Sequence, residues 1–400
     1  MNAPATEQYE VVIIGGGSAG ITVAAHLHNR PDCPQLAIIE PSEQHYYQPL
    51  WTLVGAGITS RAHSVRPEAE FIPRGTTWIK QRVTAIDPVA HRVHLDDGRE
   101  IGYEQLVVAA GNQIEWNTIP GLKASVGKPG TGVVSNYDFN TVEATWDAIQ
   151  SFRGGTALFT EPKTPVKCGG APQKIMYLAE EAFRKQGVRE QSTVRFMNAK
   201  PTNFTSPAYA GTFRDICAAR DIDIQLGHDL VSLDPERHEA VFARTGAEPI
   251  TLHYDLIHVT PPQYAPDFLK ASPLGNAEGW VEVDKHTLVH VRYPDVFGLG
   301  DCSNLPTSKT GAAVREQAPV VAANLMASRR GLPLTGFYNG YTACPVVTGF
   351  GTLVMAEFDY SKEPTESFPI DQNKERYSMY AVKTYLLPQL YWHGMLRGRM

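Results

Sequence analysis

Four β-branched residues in a row, Val11 to Ile14, run directly into Gly15-Gly16-Gly17-Ser18-Ala19-Gly20. An unbroken run of this kind suits a parallel strand covered on both faces, and Ile21 to His28 continues as a helix. In a strand, glycine turn and helix, Gly15 permits the tight turn and Gly17 lets the backbone approach a pyrophosphate. Gly20 allows the helix to pack closely on the strand, and the helix N-terminus offers free N–H groups to an anion. A second strand, Gln35 to Glu40, ends in an acid twenty positions after Gly20, where an acceptor for ribose hydroxyls is expected. The chain is therefore expected to open on a dinucleotide site.

Net charge excludes one class of partner. At −6, with no basic run, nothing draws this chain to nucleic acid. Met1 to Gln8 is polar and lacks the apolar core of an export signal, so a cytoplasmic location is expected. Gly331 to Ala356 carries no charged residue, yet its glycines, prolines, threonines and tyrosines argue for a buried or interfacial loop region rather than a spanning helix. Five widely spaced cysteines do not form a disulfide framework; a pair that matters is expected to be redox-active.

The same grammar recurs further on. Thr156 to Thr160 reads as a strand, 161–171 as a loop, Pro172 to Gln186 as a helix and Val194 to Asn198 as the next strand. The expected fold class is α/β, with two doubly wound, Rossmann-like domains and a C-terminal interface region. Residues 1–112 and 281–330 form the first domain, 113–280 the second, and 331–400 the C-terminal part. In the second unit, Pro162 to Pro172 replaces the glycine fingerprint with prolines, lysines and Cys168, and cannot form a phosphate turn. Val296 to Asp301 is another apolar strand tipped by an acid, followed by a helix from Gly311 to Ser328. Both return the chain to the first domain.

The fingerprint, the acid-tipped second strand, Ala109-Ala110-Gly111 and Gly300-Asp301 together resemble the two-dinucleotide-domain flavoproteins that include disulfide reductases and type II NADH dehydrogenases. Thr164 to Lys174, Thr307 to Thr310, Ala356 to Tyr360 and Lys374-Glu375-Arg376 are similar to sulfide:quinone oxidoreductases of the mitochondrial kind. That resemblance implies FAD, a redox pair of cysteines, quinone as acceptor, and peripheral attachment to the inner face of the membrane. The chain departs from the family in stopping at Met400, ahead of the membrane-contacting helices of the mitochondrial forms. Residues 113–131 also lack a third cysteine.

Sulfide oxidation needs an electrophilic sulfur and a two-electron sink beside it, which a disulfide next to a flavin supplies. Cys168 and Cys344 are the expected pair. By resemblance Cys168 faces the flavin and Cys344 carries the persulfide, although the residues alone do not order them. Cys168 precedes a helix N-terminus, and Lys167 and Lys174 are close in sequence, which lowers a thiol pKa. By resemblance Lys174 and Lys309 line the site. Glu161 is a possible proton acceptor or a solvent-facing carboxylate. For FAD, Gly15, Gly17, Ser18, Ala19 and Gly20 are expected at the pyrophosphate and Glu40 at the ribose. Val83 is expected at the adenine, Gly111 and Asp301 along the cofactor, and Gln48 and Pro49 along the flavin. Cys33, Cys217 and Cys302 read as structural. His286 and His290 share a face without further ligands, so no metal is expected. Phe350, Tyr385, Tyr391 and Trp392 are the candidate quinone and interface aromatics. Sulfite, glutathione or polysulfide would accept the sulfur, and a homo-oligomer is open. The rivals are an NADH:quinone oxidoreductase, the flavoprotein of a sulfide-oxidising cytochrome complex, and a flavin-bound redox sensor.

Overall fold

A computed structural model describes residues 7–400, so most of the stretch read as lacking an export signal lies outside the described residues. Strand β1 (Glu7–Ile14) runs through the middle of the first sheet, with Val11, Val12 and Ile13 fully buried. Each such side chain contributes about 1.5–3 kcal/mol of burial. Helix α1 (Ser18–His28) follows, and β2 (Leu36–Ile39) pairs in parallel on one side of β1. Strand β3 (Glu100–Val108) pairs in parallel on the other side. Thr77–Ile79 extends the sheet beyond β2, and Arg92–Leu95 and Val83–Asp87 form an antiparallel flap on the first half of β3. Val296–Gly298 lies parallel to the second half of β3, so the chain does return to its first sheet.

The second sheet is wholly parallel. It contains β4 (Val133–Val134), β5 (Gly155–Glu161), β6 (Ser192–Asn198), β7 (Ile222–Leu226) and β8 (Leu256–His258), in the order β4, β8, β5, β6, β7. Helix α2 (Ala171–Gln186) carries the chain from β5 to β6. The strand order reverses between β5 and β8, which is where ligands enter open α/β sheets, and the loop carrying Cys168 sits at the carboxyl end of β5. Gln113–Ile114 pairs with Gln263–Tyr264, so the start of this unit is tied to the point where the chain leaves it. Helix α3 (Gly311–Arg329) then packs against α1.

One sequence expectation fails. The uncharged region after Gly331 is a loop only as far as Tyr341: β9 (Thr342–Gly349) and β10 (Thr352–Phe358) form an antiparallel hairpin, and Cys344 lies within β9. Both strands are covered on both faces, so neither shows the alternation that marks a half-buried strand, and their glycines and Pro345 read as irregular. A helical segment, 377–393, follows, with a wide π turn at Val382–Leu386 and a last helix, α4 (Leu387–His393).

Candidate functional site

The loop between β1 and α1 has the geometry of a phosphate cradle. Gly15 adopts φ 101°, and a Cβ there would lie 2.5 Å from the Ala109 carbonyl oxygen. A Cβ on Gly20 would overlap the carbonyl oxygen of Gly15, so helix and turn pack as closely as glycine allows. At Gly17 a Cβ would meet nothing within 4 Å, because the N-terminus of α1 opens into a cavity. That cavity, about 520 Å³, runs from Gly15, Ser18 and Glu40 past Pro49 and Asp301 to Cys168. The Glu40 carboxylate accepts hydrogen bonds from Gly16 N at 2.8 Å and Ser42 N at 2.7 Å. Open space above free N–H groups, with an acid at the tip of β2, fits the pyrophosphate and ribose of a dinucleotide. Gly17, Ala19, Gln48, Gly111 and Lys309 also line the cavity, whereas Gly20 acts through packing and Val83 lies outside it. Gly20→Ala is expected to yield folded protein without flavin, checked by the ratio of flavin to protein absorbance.

At the far end of the cavity stand the two cysteines. Cys168 takes a left-handed conformation, φ 59°, unusual for a side chain with a Cβ, and its N–H donates to the Lys309 carbonyl oxygen at 2.8 Å. Cys344 Sγ lies 3.3 Å from Cys168 Sγ, hydrogen-bonded rather than joined, and an approach of about 1 Å would reach disulfide distance. Only glycine fits at position 170, since a Cβ there would lie 2.6 Å from Cys344 Sγ. Lys174, in the first turn of α2, donates to Cys168 Sγ at 3.0 Å. The hydrogen bond from the Cys344 thiol and the Lys174 ammonium together overcome burial and hold Cys168 well below the usual thiol range. That same hydrogen bond, with burial, pushes Cys344 up. Burial works against the Lys174 charge, but the two sulfurs outweigh it and raise its pKa.

Three more lysines line the cavity. Lys309 Nζ donates to the carbonyl oxygens of Asp301 at 2.6 Å and Ser303 at 2.9 Å, and lies 4.1 Å from the centroid of the Trp280 ring. Burial brings Lys167 down to about 8, against the opposing charges of Asp301 and Asp138. Burial and the like charge of Lys174 bring Lys383 down to about 7. Lys383 Nζ donates to the Pro49 carbonyl oxygen at 3.0 Å. The role of Lys383 was not legible in the sequence; its π turn, a frequent mark of functional sites, is visible only in three dimensions. Burial raises Asp301 above the usual carboxylate range, with Lys309 and Lys167 opposing. Glu161 is buried and paired with Lys200 at 2.6 Å, not solvent-facing.

Residues 9–147 match the family model described as pyridine nucleotide-disulphide oxidoreductase. Over 98% of this chain and 88% of the relative, the sequence is 46% identical to the mitochondrial sulfide:quinone oxidoreductase of Mus musculus. The chain belongs to the sulfide:quinone oxidoreductase family. A counterpart from Dictyostelium discoideum is 45% identical over 98% of this chain and 86% of its own. The solved sulfide:quinone oxidoreductase of Aquifex aeolicus shares the fold, with a TM-score of 0.81 at 19% identity, over 98% of this chain and 92% of that one. Like other family members, this chain is an FAD-dependent oxidoreductase that takes sulfide as donor and quinone as acceptor.

Within this sulfide:quinone oxidoreductase the expected quinone aromatics do not converge. Phe350 lies at the β9–β10 turn, under Lys185 at 4.3 Å from its centroid, and Tyr385 is 67% exposed. Trp392 is buried, stacked on Phe71 at 5.1 Å. Tyr391 alone of the four lines the cavity, at the pyrophosphate end, where its hydroxyl meets Ser18 and His45. Of the aromatics read as interfacial, Tyr391 and Trp392 fold into the first unit, while Tyr385 stays exposed. Sequence reasoning passed over Glu68, an isolated polar residue outside any motif, and the aromatic stretch that His45 opens gave no sign of their pairing.

Proposed function

We propose that sulfide is oxidised at Cys168 and Cys344, with Cys344 as the sulfur that hydrosulfide attacks. The observation that carries this reading is the Lys174 ammonium, which donates to Cys168 Sγ at 3.0 Å, with Cys344 Sγ 3.3 Å from that same sulfur. In a disulfide between the two, Cys168 is the better leaving group, so attack falls on Cys344. Hydrosulfide forms a new S–S bond to Cys344, the Cys344–Cys168 bond breaks, and its electron pair stays on Cys168 as a thiolate beside Lys174. A nucleophilic acceptor such as sulfite, glutathione or polysulfide then removes the outer sulfur and leaves Cys344 as a thiolate. The disulfide re-forms as two electrons leave toward the cofactor site. FAD supplies the two-electron sink between sulfur and quinone. Lys167, Lys309 and Lys383 line that sink, and positive charge there stabilises negative charge as it develops.

Residues 1–112 and 281–330 hold FAD in this reading, 113–280 presents Cys168, and 331–400 supplies Cys344 and closes the cavity. Among the described residues no helix is long and apolar enough to cross a membrane. The segment 377–393 exposes Tyr377, Tyr385 and Leu386 while Lys383, Leu387 and Leu390 line the cavity. Quinone would enter along this segment from a membrane contacted peripherally at its inner face. Anaerobic sulfide is expected to bleach the flavin of purified protein, short-chain quinone to restore it, and NADH to do neither. Bleaching by NADH and none by sulfide would overturn the reading.

A further inference from the structure

A buried polar chain ends at the phosphate cradle, and the sulfur chemistry makes no use of it. Glu68 Oε2 lies 2.9 Å from His45 Nδ1, His45 Nε2 lies 2.6 Å from the Tyr391 hydroxyl, and that hydroxyl lies 2.6 Å from Ser18 Oγ. Both side chains of the His45–Glu68 pair are 1% exposed. Ser18 is the first residue of α1 and lines the cavity beside Gly17. We propose that this chain aims the Ser18 hydroxyl at the FAD pyrophosphate and couples FAD binding to the uptake of one proton. The proposal rests on the reading of the Gly15–Gly20 loop as the FAD cradle.

Hydrogen-bond direction carries the inference. With a single proton on the His45–Glu68 pair, held at Nδ1 and donated to Glu68, Nε2 is an acceptor. Tyr391 must then donate to Nε2 and Ser18 must donate to Tyr391, so the Ser18 proton points away from the cavity. If Tyr391 donated to Ser18 instead, Nε2 would face an oxygen lone pair in a buried site without a donor, which costs on the order of 1–3 kcal/mol. One further proton on the pair turns Nε2 into a donor. Tyr391 then donates to Ser18, and Ser18 is free to donate into the cavity. An anion at the cradle favours the second arrangement twice over: it gains a hydroxyl donor, and the chain beneath it loses one negative charge.

The surroundings hold such a proton. Glu68 Oε1 has no partner among the described residues and abuts Gly16 of the cradle. Burial raises Glu68 above the usual carboxylate range, His45 opposes, and the neighbouring Glu40 adds to the rise. His45 packs on Phe71 and Trp392, with Arg66 over the Trp392 ring, and Tyr47 stacks on Tyr391. The charged groups that bear on the chain are therefore Glu40, Arg66, Arg397 over the Phe71 ring and Lys383 facing the Tyr47 ring.

Proton uptake on binding makes affinity fall as pH rises. For the full-length protein, the FAD dissociation constant from flavin-fluorescence quenching, between about pH 6 and about pH 9, is expected to rise by up to about tenfold per pH unit within a window. Tyr391→Phe cuts the chain and Ser18→Ala removes its end, so both variants are expected to show a shallower slope, set by the charge of the His45–Glu68 pair alone. Ser18→Ala binds FAD more weakly than the wild type at low pH and converges on it at high pH, whereas Tyr391→Phe, whose Ser18 hydroxyl is free at every pH, matches the wild type at low pH and binds more tightly at high pH. Lys167 and Lys383 titrate alike in all three proteins and cancel in the comparison. A flat wild-type profile, or profiles that run parallel in the wild type and either variant, overturns the inference and leaves the cradle intact. Failure of the wild type to bind FAD at any pH overturns the cradle reading itself, and the inference with it.

Discussion

Cys344→Ser is expected to lower sulfide-driven quinone reduction by about a thousandfold or more while leaving the flavin spectrum of the resting protein in place. A serine at 344 fits beside Gly170, because the hydroxyl is smaller than the thiol that already approaches Gly170. Stability should change little. Without a second sulfur, hydrosulfide has no S–S bond to attack and the outer sulfur has no carrier, so the loss falls on kcat rather than on binding alone. Cys168→Ser is expected to match it, and the double variant to be no worse than either single one, because the two residues act as one group. Turnover within about threefold of wild type in Cys344→Ser, measured anaerobically with a short-chain quinone, would remove β9 from the mechanism.

What the residues disclosed followed from how local the physics is. The first strand, turn and helix were legible because a run of β-branched residues and three glycines each answer to a neighbour within a few positions in the chain. Cys168 was legible for a similar reason: it stands where a second fingerprint would, at a helix N-terminus with Lys174 one turn along. Cys344 was named through resemblance, and its strand was missed because burial on both faces of β9 and β10 erases the period of two. The cradle's deeper support was not legible at all. Ser18 and Tyr391 are separated by 373 positions, and His45 and Tyr391 by 346, so their hydrogen bonds have no sequence signature. Tyr391 and Trp392 were placed at a membrane because aromatic composition is the same whether a helix lies on a bilayer or folds back onto its own first domain.

Lys174→Met should turn a pH-independent thiolate into one that must be made by alkali. The protein contains its own controls: burial pushes the Cys302 and Cys217 thiols up to about 11, against the opposing Lys309 charge at the first and the Tyr177 hydrogen bond at the second. Cys168, half-buried where Cys302 is fully buried, is held far below the usual thiol range, and the Cys344 hydrogen bond and the Lys174 ammonium are what bring it down. Methionine keeps the aliphatic stem packed in α2 and deletes the charge. The Cys168 pKa then moves toward the values of the other buried thiols, and once it lies above neutrality every further rise by one costs about tenfold in thiolate at neutral pH. Since the thiolate is both the leaving group and the source of electrons, kcat with sulfide at neutral pH should fall by about a hundredfold or more. The sign of the pH dependence follows. Wild type, whose Cys168 is already ionised, gains nothing from Cys168 as pH rises, whereas the variant should recover about tenfold per pH unit until its raised pKa is passed. Thiolate absorbance and the rate of iodoacetamide alkylation of Cys168, followed with pH beside turnover, check the prediction. A Lys174→Met protein that keeps a neutral-pH thiolate and a wild-type pH profile would show that the Cys344 hydrogen bond suffices and would strip Lys174 of its role.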